Sequence, residues 1–254
     1  MIQKINFLID YEIEAAYMAN GAGGVVQGQE MISGQVALRE LGLGKIPVVN
    51  IENACATSST AFQQACAMAT AGIHDVVLVC GFEKLYHQDK RRTFAAFDGA
   101  VDTENSEGML GALQALADKA GEEVDIENAG VTRSVFMDIY SLMAKAHMKD
   151  YGTTKEQIAG VSAKNSYHGS LNPRAQYQQE MTVAEVLAAR EIIEPLTLPM
   201  CSPIGDGAAA IVVVSEKIAK TLTKHSPVKV LSSVLVSGFD QQEEDACVGE
   251  YAAN

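Results

Sequence analysis

The sequence predicts an α/β fold in which buried strands alternate with helices and one long, mostly helical stretch is inserted between two sheet-forming parts. Three observations carry this reading. Apolar runs at Pro47–Ile51 and Val76–Val79 flank a helix-forming segment closed by Gly72. Residues 85–199 hold several helical patterns and no convincing run of strands. An apolar, β-branched run then returns at Ile211–Val214.

Taken in order, residues 12–19 read as a short buried strand ending at Gly21-Ala22-Gly23-Gly24. A helix follows from about Gln27 to Leu41, with Gly42 and Gly44 as stop signals. The glycine-rich turn between strand and helix suggests a dinucleotide loop, but GxGxxG needs glycine at position 26, and Val26 stands there. The run Pro47, Val48, Val49, Ile51 stops at Asn50–Asn53 and gives way to Cys55. A helix built largely of small residues comes next. Ala61, Ala65 and Ala69 recur at i, i+4 and i+8, a row that lets another element approach closely and predicts a buried helix.

This order places Cys55 at a strand-to-helix turn, its sulfur near the free N–H groups of the helix start. That field favours a thiolate by roughly 0.3–1 kcal/mol at an exposed terminus. A lowered thiol pKa suits nucleophilic chemistry. A structural thiol in a small-residue core is the competing reading from the residues alone.

Within the insertion, a helix is expected over Val131–Tyr151, with Val135, Phe136, Ile139, Tyr140, Met143 and Met148 along one broad face. Two more start at capping boxes, Thr153-Thr154-Lys155-Glu156 and Thr182-Val183-Ala184-Glu185, and Asn172-Pro173 breaks the pattern between them. The run at 207–215 lacks alternation, which predicts a strand covered on both faces. A short helix at about Glu216–Lys224 leads to a further strand pattern beginning in Pro227–Gly238, before an acidic tail.

Composition narrows the function. A net charge of −13, from 19 Lys+Arg against 32 Asp+Glu, argues against a nucleic-acid binder. No apolar run approaches the roughly 18 residues of a membrane span. The opening MIQKINFLIDYEIE has acidic residues after its apolar patch and no small-residue cleavage site, unlike a signal peptide. Five cysteines, at 55, 66, 80, 201 and 247, form no CxxC pair and leave an odd count. They make neither a disulfide framework nor a zinc site, so no metal is expected and a reducing, cytoplasmic setting fits.

Three ordered motifs spanning about 160 residues carry a resemblance to a known family. The first is Asn53-Ala54-Cys55-Ala56-Thr57-Ser58-Ser59 with Ala71-Gly72 and Val77-Leu78-Val79-Cys80-Gly81-Phe82-Glu83-Lys84. The second is Lys164-Asn165 with Asn172-Pro173-Arg174-Ala175-Gln176, and the third runs from Cys201 to Ala210 as CSPIGDGAAA. Together they resemble the sterol-carrier-protein-2 type, acetyl-CoA acyltransferase-like branch of the thiolase superfamily. The resemblance implies a thiolase-like fold with residues 1–84 and 200–226 as its N-terminal half. It implies residues 85–199 as a loop domain that covers the site and helps hold coenzyme A, and residues 227–254 as the start of the C-terminal half. It implies Cys55 as the acylated nucleophile and acyl-CoA and coenzyme A as substrates, with no further cofactor. It also implies association through Pro47–Asn53 into dimers or tetramers, and a small zinc-ribbon/OB-fold partner. Measured against the family pattern the chain is expected to be truncated at both ends. The GHP-like histidine, the CxG-like cysteine and the oxyanion-hole motif of the family all lie in its second half and have no counterpart here.

That gap keeps rivals open. Claisen condensation needs a second base and oxyanion donors. A catalytically incomplete subunit or scaffold, completed by a partner chain, is the alternative to an acyltransferase, and a cysteine hydrolase lacks an identifiable Cys/His pair. His74, His87, His147 and His225 read as solvated or loop-domain residues, while His168, beside Asn172-Pro173, borders the expected coenzyme pocket. Arg91 and Arg92, in the basic cluster that starts at Lys90, are candidates for its phosphates, against the reading of a solvated charge run. Asp206-Gly207 reads as a tight turn beneath the site, with Gly207 permitting close backbone approach. Cys66, Cys80 and Cys201 read as packing thiols.

Overall fold

A computed structural model describes residues 12–124, 133–222 and 226–236. These fall into two compact units, one made of residues 12–96 with 205–236 and the other of residues 97–204. His225, Cys247, the acidic tail and the first residues of the expected 131–151 helix lie outside the described residues.

The first unit is a four-stranded sheet in the order β2-β1-β3-β6, where β1 is Ala15–Ala19, β2 Val48–Ile51, β3 Val76–Glu83 and β6 Gly207–Val214. β1 pairs parallel with both β2 and β3, while β6 runs antiparallel to β3, with Val79 opposite Ile211. All five residues of β1 are buried. Because strand side chains alternate, one sequence serves two cores. Ala15, Tyr17 and Ala19 join Val77 and Val79 under Ala61 and Ala65 of helix α3, Thr57–Thr70. Ala16 and Met18 join Leu78 under Leu38 of helix α2, Ser33–Glu40. Ala61 and Ala65 are fully buried, as the small-residue row predicts.

The expected helix from Gln27 to Leu41 forms only over Ser33–Glu40, and a separate short helix occupies the glycine-rich turn before it. A short helix α1, Gly23–Gln27, stops at Gly28, whose φ of +84° sits in the left-handed region that ends helices. α2 then begins at Ser33. Its Gly34 rides directly on β1, where an added Cβ would stand 2.5 Å from Met18 Cβ and 2.7 Å from Asn50 Oδ1. Helix propensity alone favours alanine over glycine by about 1 kcal/mol. The backbone-proximal clash outweighs that, since overpacking costs about 3 kcal/mol at its upper range. Gly34→Ala is therefore expected to lower Tm by roughly 4–8 °C in thermal denaturation, for a net loss of about 2 kcal/mol. A rise in Tm would place α2 farther from β1 than described.

β6 departs from expectation in its cover. Gly207–Ile211 are exposed, because among the described residues β6 is an edge strand that pairs only with β3. Helix α9, Glu216–Ala219, follows it. Residues 227–236 form no strand.

The second unit is mostly helical, as read from sequence. α4, Lys90–Asp98, carries the division between the units. Helices α5 (Ser106–Ala120), α6 (Val135–Tyr151), α7 (Lys155–Ser170) and α8 (Val183–Ala188) follow. Leu113 and Ala117 pack on Leu142 to join α5 and α6. The sequence reading missed a short hairpin, β4 (Glu191–Ile193) with β5 (Leu196–Thr197). Thr182 and Glu185 close the expected capping box on α8. The box on α7 is shifted by one residue, with Thr154 at the cap and Gln157 as its reciprocal partner. Either threonine fits the cap by residue type, and the register of the following helix selects the second.

Candidate active site

Cys55 is exposed, in a single 3₁₀ turn (Ala54–Ala56) between β2 and α3. The turn is reached through Ala54, whose φ of +43° lies in the left-handed region. That conformation costs an L-residue roughly 1–2 kcal/mol. Three side-chain contacts hold it. Glu52 Oε1 accepts from the Ala54 N–H at 2.5 Å. The Thr57 hydroxyl accepts from the Asn53 N–H at 2.9 Å and donates to the Ala54 carbonyl at 2.6 Å. At about 1 kcal/mol net for each hydrogen bond, these are the right size to offset the backbone cost.

The facing wall is built on Glu83, the last residue of β3. Its carboxylate accepts from the N–H groups of Gly21 (3.1 Å), Ala22 (3.1 Å) and Lys84 (3.1 Å), and from Asn20 Nδ2 (3.3 Å). With its lone pairs so occupied, Glu83 anchors the glycine-rich loop after β1 rather than serving as a proton acceptor. Gly21 leaves the approach to Glu83 close: a Cβ would stand 3.0 Å from Glu83 Oε2, with Ala54 O and Thr57 Oγ1 next at 3.5 and 3.6 Å. Between the two walls lies an open cleft of about 470 Å³, with Cys55, Thr57, Glu83 and Gly21 among its lining and Gly207–Ala209 at one edge.

Asp206 ties the start of β6 to the end of β3. Its carboxylate accepts from the N–H groups of Leu85 (3.0 Å) and Tyr86 (2.9 Å) and pairs with the Lys84 ammonium. The Lys84 hydrogen bond, then the Tyr86 amide, hold its carboxyl below the ordinary value of 3.8. A carboxyl whose folded pKa lies below its unfolded one adds stability above the unfolded value and loses it as pH falls through the folded one. The stability difference between the native chain and Asp206→Asn is thus expected to be constant near neutrality and to shrink once pH drops below about 4. Urea denaturation at several pH values measures it, and a difference that grows towards acid would contradict the clasp. The expected close approach at Gly207 is not found, since a Cβ there meets nothing within 4 Å.

Arg91 and Arg92 sit in the first turn of α4. Arg91 is committed to Asp89 through a fork, with Nε–Oδ1 and Nη2–Oδ2 both at 2.9 Å. That pairing holds the Asp89 carboxyl below its usual range and raises the guanidinium above its own. Arg92 Nη1 donates to the Val26 carbonyl at 3.4 Å. His168 is an exposed residue of the last turn of α7 in the helical unit, its ring 5.6 Å from that of Tyr167. His74 stands 3.9 Å from the Glu14 carboxylate, and His147 meets Thr153 Oγ1 at 3.0 Å. Burial pushes the Cys66, Cys80 and Cys201 thiols up, as packing thiols should be. Sequence reasoning missed the structural parts of Glu83 and Thr57. An acidic residue ending a buried strand beside a glycine-rich loop was a readable signal, whereas the hydroxyl of Thr57 was one among Ser58, Ser59 and Thr60.

Among the described residues no group of His, Cys, Asp and Glu is arranged to hold a metal, and no helix is long and apolar enough to cross a membrane.

A parallel-cored sheet that delivers an exposed cysteine at a strand-to-helix turn defines an α/β protein with a thiol at its cleft. The family model for the thiolase N-terminal domain matches residues 1–194, and the chain belongs to the thiolase superfamily. It is 34% identical over 227 residues to an acetyl-CoA acetyltransferase of Methanothermobacter thermautotrophicus, covering 89% of this chain and 52% of that one. It is 29% identical over 243 residues to sterol carrier protein 2 of Gallus gallus, covering 95% and 42%. Among solved structures, an Ltp2–ChsH2(DUF35) aldolase matches with a TM-score of 0.60 at 23% identity, over 92% of this chain and 53% of that one. The chain thus spans about half the length of the curated relatives it matches.

Proposed function

We propose that this chain is an acyltransferase of acyl-coenzyme A thioesters in which Cys55 carries the acyl group. The single observation behind this is the placement of an exposed thiol in a cleft, on a turn held in a left-handed conformation, within a chain of the thiolase superfamily. In the cleavage direction the Cys55 sulfur attacks the 3-oxo carbonyl of a 3-oxoacyl-CoA. The bond between the 2- and 3-carbons breaks, and its electrons leave with the shorter acyl-CoA, which takes up a proton. Coenzyme A thiolate then attacks the acyl-cysteine, regenerating Cys55 and releasing the second acyl-CoA. Condensation is the same sequence reversed.

Coenzyme phosphates are proposed for Arg92 and for Arg91, the latter by exchange with its Asp89 partner, and the coenzyme arm for His168. Association into dimers or tetramers is proposed through β2, an edge strand among the described residues whose Val49 is 40% exposed. A small zinc-ribbon/OB-fold partner belongs to the same proposal. It draws on the structural neighbour named as an aldolase of Ltp2 with ChsH2(DUF35).

A specific observation favours a second reading, a thiolase-like subunit completed by another chain. The segment 228–236 presents Val228 (92% exposed), Leu231 (86%) and Val234 (72%) to solvent, apolar surface of the kind that seeks cover. Incubation with a 3-oxoacyl-CoA and peptide mass spectrometry tests the first reading. An acyl group on the Cys55 peptide supports it, and an unmodified Cys55 under turnover conditions overturns it.

A further inference from the structure

We propose that Thr57 is the positioning residue of Cys55: its buried hydroxyl clamps the left-handed Ala54 turn and so fixes where the sulfur stands in the cleft. The proposal rests on the reading of Cys55 as the acyl acceptor.

Thr57 is the first residue of α3, a place where a hydroxyl ordinarily serves the helix. Here it does not. The helix cap is Ala56, with no side-chain hydrogen bond to the first turn. The Thr57 oxygen instead reaches backwards across Cys55, accepting from Asn53 N–H and donating to Ala54 O. Both donor and acceptor roles of one hydroxyl are thereby spent on the two residues that precede the cysteine. Its neighbours act differently. Ser59 and Thr60 donate to the Ala56 carbonyl, and Thr60 accepts from the Asn53 side chain.

Thr57 is 5% exposed, so the clamp is shielded from competing water. The opposite wall stands close by. Gly21, held by Glu83, is near enough that a Cβ there would come into van der Waals contact with Ala54 O and Thr57 Oγ1, at 3.5 and 3.6 Å. The clamp therefore sits at the inner side of the cleft, and the residue it spans is Cys55.

Site-resolved alkylation of the full chain by iodoacetamide tests this, read by peptide mass spectrometry at Cys55, Cys66 and Cys80 in one sample. Thr57→Val keeps the shape of the side chain and removes the hydroxyl. Cys55 alkylation is expected to slow about fivefold, the lower end of the left-handed penalty, because the Glu52 bond to Ala54 remains, while Cys66 and Cys80 keep their rates. Thr57→Ser is expected to stay within about twofold of the native rate, since its hydroxyl makes the same pair of bonds. Adding Ala54→Gly to Thr57→Val is expected to recover most of the lost rate, because glycine adopts the left-handed conformation unaided. A threonine that only filled space would not be rescued at a different residue.

A native Cys55 rate in Thr57→Val overturns the proposal, as does a Thr57→Ser variant equally slow. If Thr57→Val also speeds Cys66 and Cys80, the fold has opened and Thr57→Ser decides. A native rate then supports the hydroxyl role, and a slowed one overturns it. Failure of acyl transfer with this alkylation pattern intact removes the acyltransferase reading and leaves the role of Thr57 standing. The converse result removes the role of Thr57 alone.

Discussion

Cys55→Ala is expected to abolish the acyl-enzyme adduct while leaving the fold as it is. The substitution deletes one sulfur at an exposed position, where changes ordinarily fall within about 0.5 kcal/mol. The thermal midpoint should therefore match the native chain. Among the described residues Cys55 is the cysteine that lines the cleft, while Cys66 on α3 and Cys80 in β3 have thiols pushed up by burial. Intact-mass spectrometry after exposure to a 3-oxoacyl-CoA should show an adduct on the native chain and none on the variant. Undiminished adduct on Cys55→Ala would assign the chemistry elsewhere.

In the helical unit the largest expected effect belongs to Asp138→Ala. Asp138 is 4% exposed in the first turn of α6, and Arg133 grips it through Nε (3.1 Å to Oδ1) and Nη2 (2.5 Å to Oδ1). The aspartate also faces the positive end of the helix, which adds to its fit there. Removing it takes from the Arg133 guanidinium, whose side chain is 12% exposed, the carboxylate that it grips. Breaking such a pair costs about 3–5 kcal/mol, whereas replacing both partners by apolar residues of similar volume is often neutral. Asp138→Ala should then shift the urea transition of residues 97–204 strongly, and the double replacement Arg133→Met with Asp138→Leu should recover most of it. A loss under about 1 kcal/mol for the single change would mean that the pair is solvated.

What the sequence made legible were features written in short-range pattern. The buried β1, the small-residue helix after Cys55 and the β3 run were read with their neighbours in order, because apolar periodicity and Gly72 punctuate them. The capping box at Thr182 was readable for the same reason. Other features depend on partners distant in sequence. β6 is as apolar as a buried strand, and only the sheet order shows it at an edge. The helix expected from about Gln27 starts only at Ser33, and the short helix at Gly23–Gln27 forms on a glycine-rich stretch whose composition reads as a turn. At the site, Cys55 was legible by resemblance, but its frame was not. The Glu83 anchor spans 61 and 62 residues to Ala22 and Gly21, and the Asp206 clasp spans 120 to Tyr86.

One feature of the sheet reaches beyond the isolated chain. Among the described residues the outer ladder of β2 is unpaired, and its last residue, Ile51, is followed within three positions by the strained alanine that presents the thiol. A partner strand docked there, as in the proposed association through β2, would share that short tether with the thiol. Dilution therefore belongs beside pH and substrate as a variable in assays of this chain, with concentration-dependent alkylation of Cys55 as the sign of such a link.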